Sequence, residues 1–503
     1  MILERELENT DNKGKLDTDE MILKIAQEKV EEFFVNQFRE SYATVKVNEH
    51  YEHMKINGKN FENFLRREYF KKTNKTPKQI SDAIKLLDAI ASAEEKIKIN
   101  NRVAMGEDGC IYYDLINEKW QCIKIMPNGW DIINIKDAPV LFDRYSHQKK
   151  QIIPKKYVDR DRDAKLVLEY VNIEPDSEEA LLLLIYIASC FIADIPHPVL
   201  FLIGEHGSAK SSLSKIIHRI VDPTITELVD LSDNKKELIQ KVSHDWLTIF
   251  DNVSRIGKKT SNILCKTATG GSSSNRSLFT NDDDYLREFH SCVAINSTGL
   301  ENKLADDLLD RSIIIEMERI KSQNRKTEQD MFNNFEEDFH KIFAGFIEVI
   351  ALAITIIDDL KFDGYPRMAD FYKWGSAIAI GFGYKPEEFQ KAYYNNTLKA
   401  QNANYIDNTL FQTVQKFIGK EKSWRGTATE LLEEINNFKD NDEKLFSQYE
   451  NNIDDWPSSV SAMSRRLNQM ERALDNYGIS LSRVRTESKR EILLKKDKME
   501  INI

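Results

Sequence analysis

The apolar residues change rhythm several times along the chain, and each change predicts a different element. Residues 21–40 repeat at helical spacing, and ATVKV and YEHMKI then alternate as strands do. Helical spacing returns near Phe61–Tyr69 and Pro77–Ser92. From Ile97 the pattern shortens to alternating runs of Tyr, Trp, Ile and Val. Turn residues at Gly106–Gly109, Asn117–Lys119 and Pro127–Gly129 break them, which predicts a β-meander. Together these elements predict an independent α+β domain over 21–158. Residues 1–20 (MILERELENTDNKGKLDTDE) are polar and acidic, which predicts a loose tail and no signal peptide.

After the charged connector KKYVDRDRDAK, Ala164–Ile195 reads as helical. It contains the most apolar run of the chain, Ala180–Ala193, which is 14 residues long and stops at Asp194. A membrane span needs about 20 such residues. A second apolar stretch, Ile342–Ile357, carries Glu348. Both predict buried helices, and no membrane segment is expected. Pro196 and Pro198 punctuate the approach to LFLI, and strands then alternate with helices to about Ile320, the pattern of an α/β domain. Gln323–Asp359 is helical, and Pro366 starts a further helix that ends at Gly381 and Gly383. From about Tyr405 the chain predicts a small separate domain, so the boundaries expected are 159–400 and 401–503.

The chemistry concentrates where LFLI ends. The sequence GEHGSAKSS (Gly204, Glu205, His206, Gly207, Ser208, Ala209, Lys210, Ser211, Ser212) joins that buried strand to the helical SSLSKIIHRIV. Strand, glycine-bearing loop, Lys-Ser and helix are the parts of a phosphate-binding loop. Unpaired N–H groups at the helix start face the phosphates of ATP, Lys210 adds positive charge, and Ser211 reaches Mg²⁺. The usual pattern is GxxxxGK[ST], and Ala209 stands where the second glycine is expected. Alanine there requires a backbone that avoids glycine-only conformations.

Trp246–Phe250 is a second buried strand, ending in Asp251-Asn252 about forty residues past Lys210. Asp251 is placed to hold Mg²⁺ together with Ser211. A glutamate that polarises the attacking water is normally next, and Asn252 can orient a water but not take its proton. Glu205 is the candidate for a relocated base; its alternative reading is an exposed loop acid. Ser291–Asn296 is a third strand, ending in an amide suited to a γ-phosphate. Arg311 in LLDRS, just before IIIEM, resembles the AAA+ arginine finger, which would reach a neighbouring subunit's nucleotide; its alternative is an ion pair with Asp307 or Asp310. Arg367, opening the helix after Pro366, resembles the second nucleotide-sensing arginine of AAA+ ATPases. Between the second and third strands, Asn275–Phe279 and Tyr285–Phe289 can pair across Thr280–Asp284, leaving Lys266, Arg276 and Arg287 for backbone phosphates. The acidic tip NDDD leaves such contacts to the flanks; a plain surface hairpin is the alternative.

Charge and cysteine content narrow the partners. The net charge of −11 excludes a uniformly basic nucleic-acid coat but allows local basic surfaces. Five scattered cysteines without a CxxC pair predict neither a disulfide framework nor a zinc site, and suit the cytoplasm. From Trp456 to Ile503 ten Lys and Arg stand against six Asp and Glu. A helix with Arg465, Arg466 and Arg472 precedes two strands offering Arg483, Arg485, Lys489 and Arg490. Helix followed by basic ribbon is the outline of a winged helix, with WRGTATELLEEI from Trp424 as its first helix. A solvated basic face is the alternative.

In one order the chain carries GEHGSAKS, LTIFDN, TATGGSSSNRSLFTNDDD, VAIN, DDLLDRS, YPRMADF and WRGTATELL. Together they resemble the MCM-like, self-loading AAA+ replicative helicases and initiators of mobile genetic elements, of the cassette-chromosome and phage-inducible-island kinds. The resemblance covers the central and C-terminal parts well. It implies an AAA+ P-loop ATPase core between an α+β N-terminal domain and a C-terminal winged helix. It also implies a homo-oligomeric ring, a hexamer, that translocates on DNA by ATP hydrolysis. Single strands would occupy the pore and duplex the winged helix, with a primase or polymerase as partner. The chain itself shows no primase signature, and its N-terminal domain has only a platform or DNA-guiding role by default. A DNA-binding initiator or loader without unwinding activity is the alternative, and a P-loop ATPase unconnected with DNA a further one.

Overall fold

The computed structural model describes residues 17–496 apart from 49, 157, 277–283, 290, 301–303, 326, 406–407, 452–455 and 486–488. Most of the expected tail, residues 1–16, therefore lies outside the described residues. Its last residues do not belong to a tail. Asp17 and Glu20 form a capping box that starts α1 (Thr18–Lys29).

The helix expected over 21–40 stops at Lys29. Val30–Val35 is instead a strand, β1, antiparallel to β2 (Ser41–Val47), which pairs in turn with β3 (His50–Lys55). Phe34 and Val35 are buried there, and sheet pairing overrides the local helical spacing. Helices α2 (Lys59–Thr73) and α3 (Ser81–Ala91) complete a core built on Ile22, Val45, Phe61, Leu65 and Leu87.

A two-stranded parallel pair, β4 (Ile99–Asn100) with β9 (Leu141–Phe142), brackets the meander β5 (Val103–Met105), β6 (Ile111–Asp114), β7 (Gln121–Met126) and β8 (Gly129–Asn134). The meander is not an independent unit. Val103, Ile111, Tyr113 and Ile123 join the same apolar core as the central helices. The expected boundary at 158 thus crosses a shared core. Arg102, fully buried, bonds Asp222 at 2.8 Å and the carbonyls of Asp114, Lys149 and Pro223.

The stretch 164–195 is not one helix. It divides into α4 (Arg160–Lys165), a 3₁₀ turn over Leu166–Tyr170, and α5 (Glu178–Ser189), which Ser177 caps afresh after Pro175. Every residue of α5 from Ala180 onward is buried. No helix among the described residues is long and apolar enough to cross a membrane. All five cysteines are buried and unbridged.

The centre of the molecule is a parallel sheet of β10 (Val199–Ile203), β11 (Leu247–Phe250), β14 (Cys292–Ser297) and β15 (Ser312–Glu316), in the order β11-β14-β10-β15. Leu200 and Leu202 enter one apolar core, Val199 and Phe201 the other. The period of two in a doubly covered strand explains why LFLI is apolar without a break. Helices α6 (Lys210–Val221), α7 (Lys235–His244), α8 (Lys258–Thr269) and α9 (Asp306–Leu309) lie between the strands in sequence. The antiparallel hairpin β12 (Gly271–Arg276) and β13 (Asp284–Phe289) projects between α8 and β14. It begins four residues earlier than expected, with Gly271 opposite Phe289 and Arg276 opposite Asp284.

Helices α10 (Glu328–Ile356), α11 (Ala369–Gly381) and α12 (Pro386–Tyr405) come next. Glu348, the polar break in the second apolar stretch, accepts a 2.8 Å hydrogen bond from the Trp130 indole of the meander. The remainder forms α13 (Thr409–Glu421), β16 (Ser423–Thr427), α14 (Ala428–Asp440), α15 (Glu443–Asn451), α16 (Val460–Asn476), β17 (Ile479–Arg485) and β18 (Arg490–Lys496). Its buried core, from Leu410 to Leu494, is its own. Trp424 does not open a helix there. It lies in β16, opposite Leu494 of β18, and the capping box of Thr427 and Glu430 starts α14 only after it.

Candidate active site

Three parallel strands deliver their carboxyl ends to one place, and the loop 204–209 closes over it. Gly204 is required sterically, because a Cβ there would stand 2.3 Å from the Met317 carbonyl and 2.9 Å from Ser208 Oγ. Gly207 has φ +83°. Ala209 does not avoid the conformation that glycine favours. It sits at φ 66°, ψ 26°, because the loop must reverse there before its carbonyl accepts the first helical bond, from Leu213 N at 3.0 Å. A left-handed alanine costs roughly 1–2 kcal/mol.

Lys210 opens α6 and folds back over the loop. Its ammonium donates to the carbonyl of Gly204, to that of Glu205 at 3.0 Å and to Ser208 Oγ at 3.2 Å. Partial burial lowers its pKa, against the opposing pull of Asp251. Glu205 and His206 are exposed on the loop. Ser212 is half-buried in the first turn of α6.

Asp251, at the end of β11, is the hub of a side-chain network. Asn296 Nδ2, from β14, donates to its carboxylate at 2.8 Å, and Ser211 Oγ stands 3.4 Å from it. Ser214, one turn further along α6, donates to Asn296 Oδ1 at 2.7 Å and so fixes which face of that amide points at Asp251. Asn252 is exposed at φ 53°, a left-handed position that asparagine occupies more readily than glutamate.

Three contributors escaped sequence reasoning. Ser214 lies outside the motif, although its spacing of one helical turn from Lys210 was a usable signal. Asn172, distant in sequence, donates to the carbonyls of Ser208 at 3.3 Å and Glu318 at 2.6 Å, bracing the loop from outside. The Arg325 guanidinium stands beside Gly207, 2.9 Å from where a Cβ would be. Neither Asn172 nor Arg325 sits in a recognisable motif.

Arg311 and Arg367 are elsewhere. Val199 pairs with Ser312 and Ile203 with Glu316, so Arg311 precedes the amino end of β15 while Lys210 follows the carboxyl end of β10. At about 3.3 Å per residue the two ends of the sheet are roughly 15 Å apart. Arg367 bonds Asp307 and, at 3.1 Å, Asp310; Arg311 bonds Asp307 at 2.6 Å. Arg367 is therefore not brought to the 204–209 loop of its own chain, because Asp307 and Asp310 hold its guanidinium. Burial would raise the Asp307 carboxyl, but the hydrogen bond from Arg311 and both guanidinium charges hold it below its ordinary value. Arg311 Nε is buried without a partner among the described residues.

Of the expected nucleic-acid contacts, Lys266 is exposed on α8, while the side chains of Arg276 and Arg287 lie outside the described residues, as do the side chain of Arg472 and most of the NDDD tip. Arg465, Arg485, Lys489 and Arg490 are exposed, and Arg466 is half-buried on α16. Arg483 bonds the Ser464 carbonyl at 3.2 Å and the Asn468 side chain, tying β17 to α16. The sheet order is β16-β18-β17, with α13, α14 and α16 packed on it.

Residues 164–393 match the family model of the actinomycete integrative conjugative element replication protein, and residues 410–500 that of the AICE RepA C-terminal domain. Both matches support a replication protein of a mobile element. No curated protein matches the chain. Among solved structures, an A form apo structure of the NrS-1 C-terminal region aligns over 96% of this chain and 100% of its own, at 13% identity and TM-score 0.38. An apo structure of the same region (305–718) gives 96%, 100%, 14% and 0.38.

Proposed function

We propose that the chain is an ATP-dependent replicative DNA helicase and initiator of a mobile genetic element, acting as a homo-oligomeric AAA+ ring with a C-terminal winged helix. One observation carries the ATPase half: Lys210 and Ser211 from the first turn of α6, Asp251 from β11 and Asn296 from β14 converge at the carboxyl edge of one parallel sheet. The residues suit ATP with Mg²⁺. Ser211 Oγ and the Asp251 carboxylate supply the one or two hard oxygens that magnesium takes from protein beside phosphates. Bound there, it would neutralise phosphate charge.

The chain's own groups then divide the work. The N–H groups opening α6 and the Lys210 ammonium bind phosphate, and Lys210 exchanges its loop carbonyls for phosphate oxygens. Asn296, held by Ser214, keeps its N–H face toward Asp251 and the reacting end. Glu205, exposed on the loop, is assigned the proton of the attacking water, a task Asn252 cannot perform. Arg311, with Arg367 beside it, is the group offered to a neighbouring subunit. The order helix, strand, three helices and two-stranded ribbon over 409–496 supports the winged-helix reading, and the matches over 164–393 and 410–500 support the replication context.

The hydrogen-bonded pairing of Arg311 with Asp307 inside one chain favours a second reading, an initiator or loader without unwinding activity. Strand displacement from a forked duplex separates the two. ATP-dependent displacement is expected; ATP turnover and duplex binding without displacement would overturn the helicase reading in favour of the initiator.

A further inference from the structure

We propose that the exposed face of α2 and the turn after it form a second nucleic-acid site, one that takes single-stranded DNA by its phosphates and stacks a base on Phe70. The site goes beyond the ATPase reading and rests on none of its residues. From Lys59 to Lys78 seven Lys and Arg stand against Glu62 and Glu68, a balance of 7 − 2 = +5 within a chain of −11.

Helix α2 sorts its residues by face. Phe61, Phe64 and Leu65 are buried in the N-terminal core. Arg67, Phe70, Lys71 and Asn74, spaced by three and four, share the opposite face, and all four are exposed. Phe70 lies off the buried stripe and is 52% exposed with cations at both flanks. Asn74 ends the helix in the left-handed conformation, and Lys75 and Lys78 continue the basic surface beyond it.

Glu68 bonds Lys71 at 2.8 Å and stands 3.7 Å from Arg67, while Lys72 bonds Glu28 at 2.7 Å. Exposed pairs of this kind are weak and screened by salt, so they yield to a polyanion. A cleft of about 730 Å³ adjoins the face, lined by Lys29, Lys46, Arg67 and Lys71 together with Glu28, Glu31 and Glu68. Charge selects a phosphate chain. The exposed ring selects unpaired bases, because a duplex hides the base faces that an aromatic ring stacks on.

The test uses the full chain and a fluorescent oligo(dT) 20-mer, with a duplex of equal length beside it. Phe70→Ala is expected to lower oligo(dT) affinity by roughly 5- to 150-fold while leaving the duplex affinity unchanged. Lys71→Glu with Lys75→Glu should lower it further and reduce the salt slope by about 1.4, two contacts at about 0.7 each. Oligomers carrying 5-iododeoxyuridine should crosslink to the peptide containing Phe70, a readout that a merely destabilised variant cannot mimic. Unchanged oligo(dT) affinity in both variants, an equal loss for duplex, or no crosslink to that peptide overturns the site. ATP turnover and duplex binding by residues 410–496 are measured separately, so the site can fall while the ATPase reading stands, and the reverse.

Discussion

Removing the Arg102 guanidinium should cost the central fold more than any exposed charge change. Arg102 and Asp222 are both fully buried, and they join at 2.8 Å. Asp222 ends α6, and its other oxygen accepts the amides of Trp246 at 2.9 Å and Leu247 at 3.1 Å, which start β11. Arg102 also satisfies three carbonyls, so Arg102→Ala strips four hydrogen bonds and leaves a buried carboxylate without its counter-charge. Breaking a buried pair from one side costs about 3–5 kcal/mol. That is a large share of the roughly 5–15 kcal/mol that holds a domain folded. Urea unfolding of the variant, with hydrogen exchange read at the amides of 246–250, should show that loss and faster exchange at those amides. Adding Asp222→Asn should cost less than the sum of the single changes, since the orphaned charge disappears. A loss below about 1 kcal/mol for Arg102→Ala would refute the reasoning, because only a solvated pair is worth so little.

Arg325→Ala should raise the ATP KM about 5-fold with kcat little changed, the worth of an exposed charge contact near 1 kcal/mol; equal KM values would remove Arg325 from the site. Burial lowers the pKa of His53 from 6.5 to about 4. The unfolded chain therefore takes up the proton first on acidification. Stability from this residue is complete above pH 6.5 and falls progressively to about pH 4, which His53→Gln should abolish in thermal melts across that window. Glu205→Gln should keep nucleotide affinity while hydrolysis drops about 10²-fold, and wild-type turnover would refute the relocated base. Asn252→Glu should cost about 1 kcal/mol by placing glutamate at a left-handed position, which unfolding in urea measures.

Where the chemistry is local, the sequence was legible. LFLI, the LTIF of LTIFDN and VAIN each lie in a strand of the central sheet, GEHGSAKSS is the loop and first helical turn that follow LFLI, and the sheet brings these polar segments together. The features that sequence reading missed depend on pairing across distance. VEEFFV is a strand because SYATVKV offers it an edge, and no local rhythm announces that partner. Trp424 is held extended by β18, some seventy residues later in the chain. The meander's fusion with the central core hangs on Arg102, whose partner Asp222 is 120 residues away. Arg367 went astray for the same reason, since Asp307 and Asp310 draw it to the far end of the sheet. Ala209 shows the opposite limit: its identity was read correctly, but its backbone is set by the loop it closes.

The most direct test of the ATPase reading is the steady-state hydrolysis of ATP with magnesium by the purified chain and by Lys210→Ala, each confirmed folded by its melting curve. On the proposed reading Lys210 would supply the cation nearest the phosphates, so measurable turnover is expected in the wild-type chain and a fall of at least about 10²-fold in the variant. Equal turnover in the two proteins, or none in the wild type with or without DNA, would contradict the assignment of Lys210, Ser211, Asp251 and Asn296 to a nucleotide.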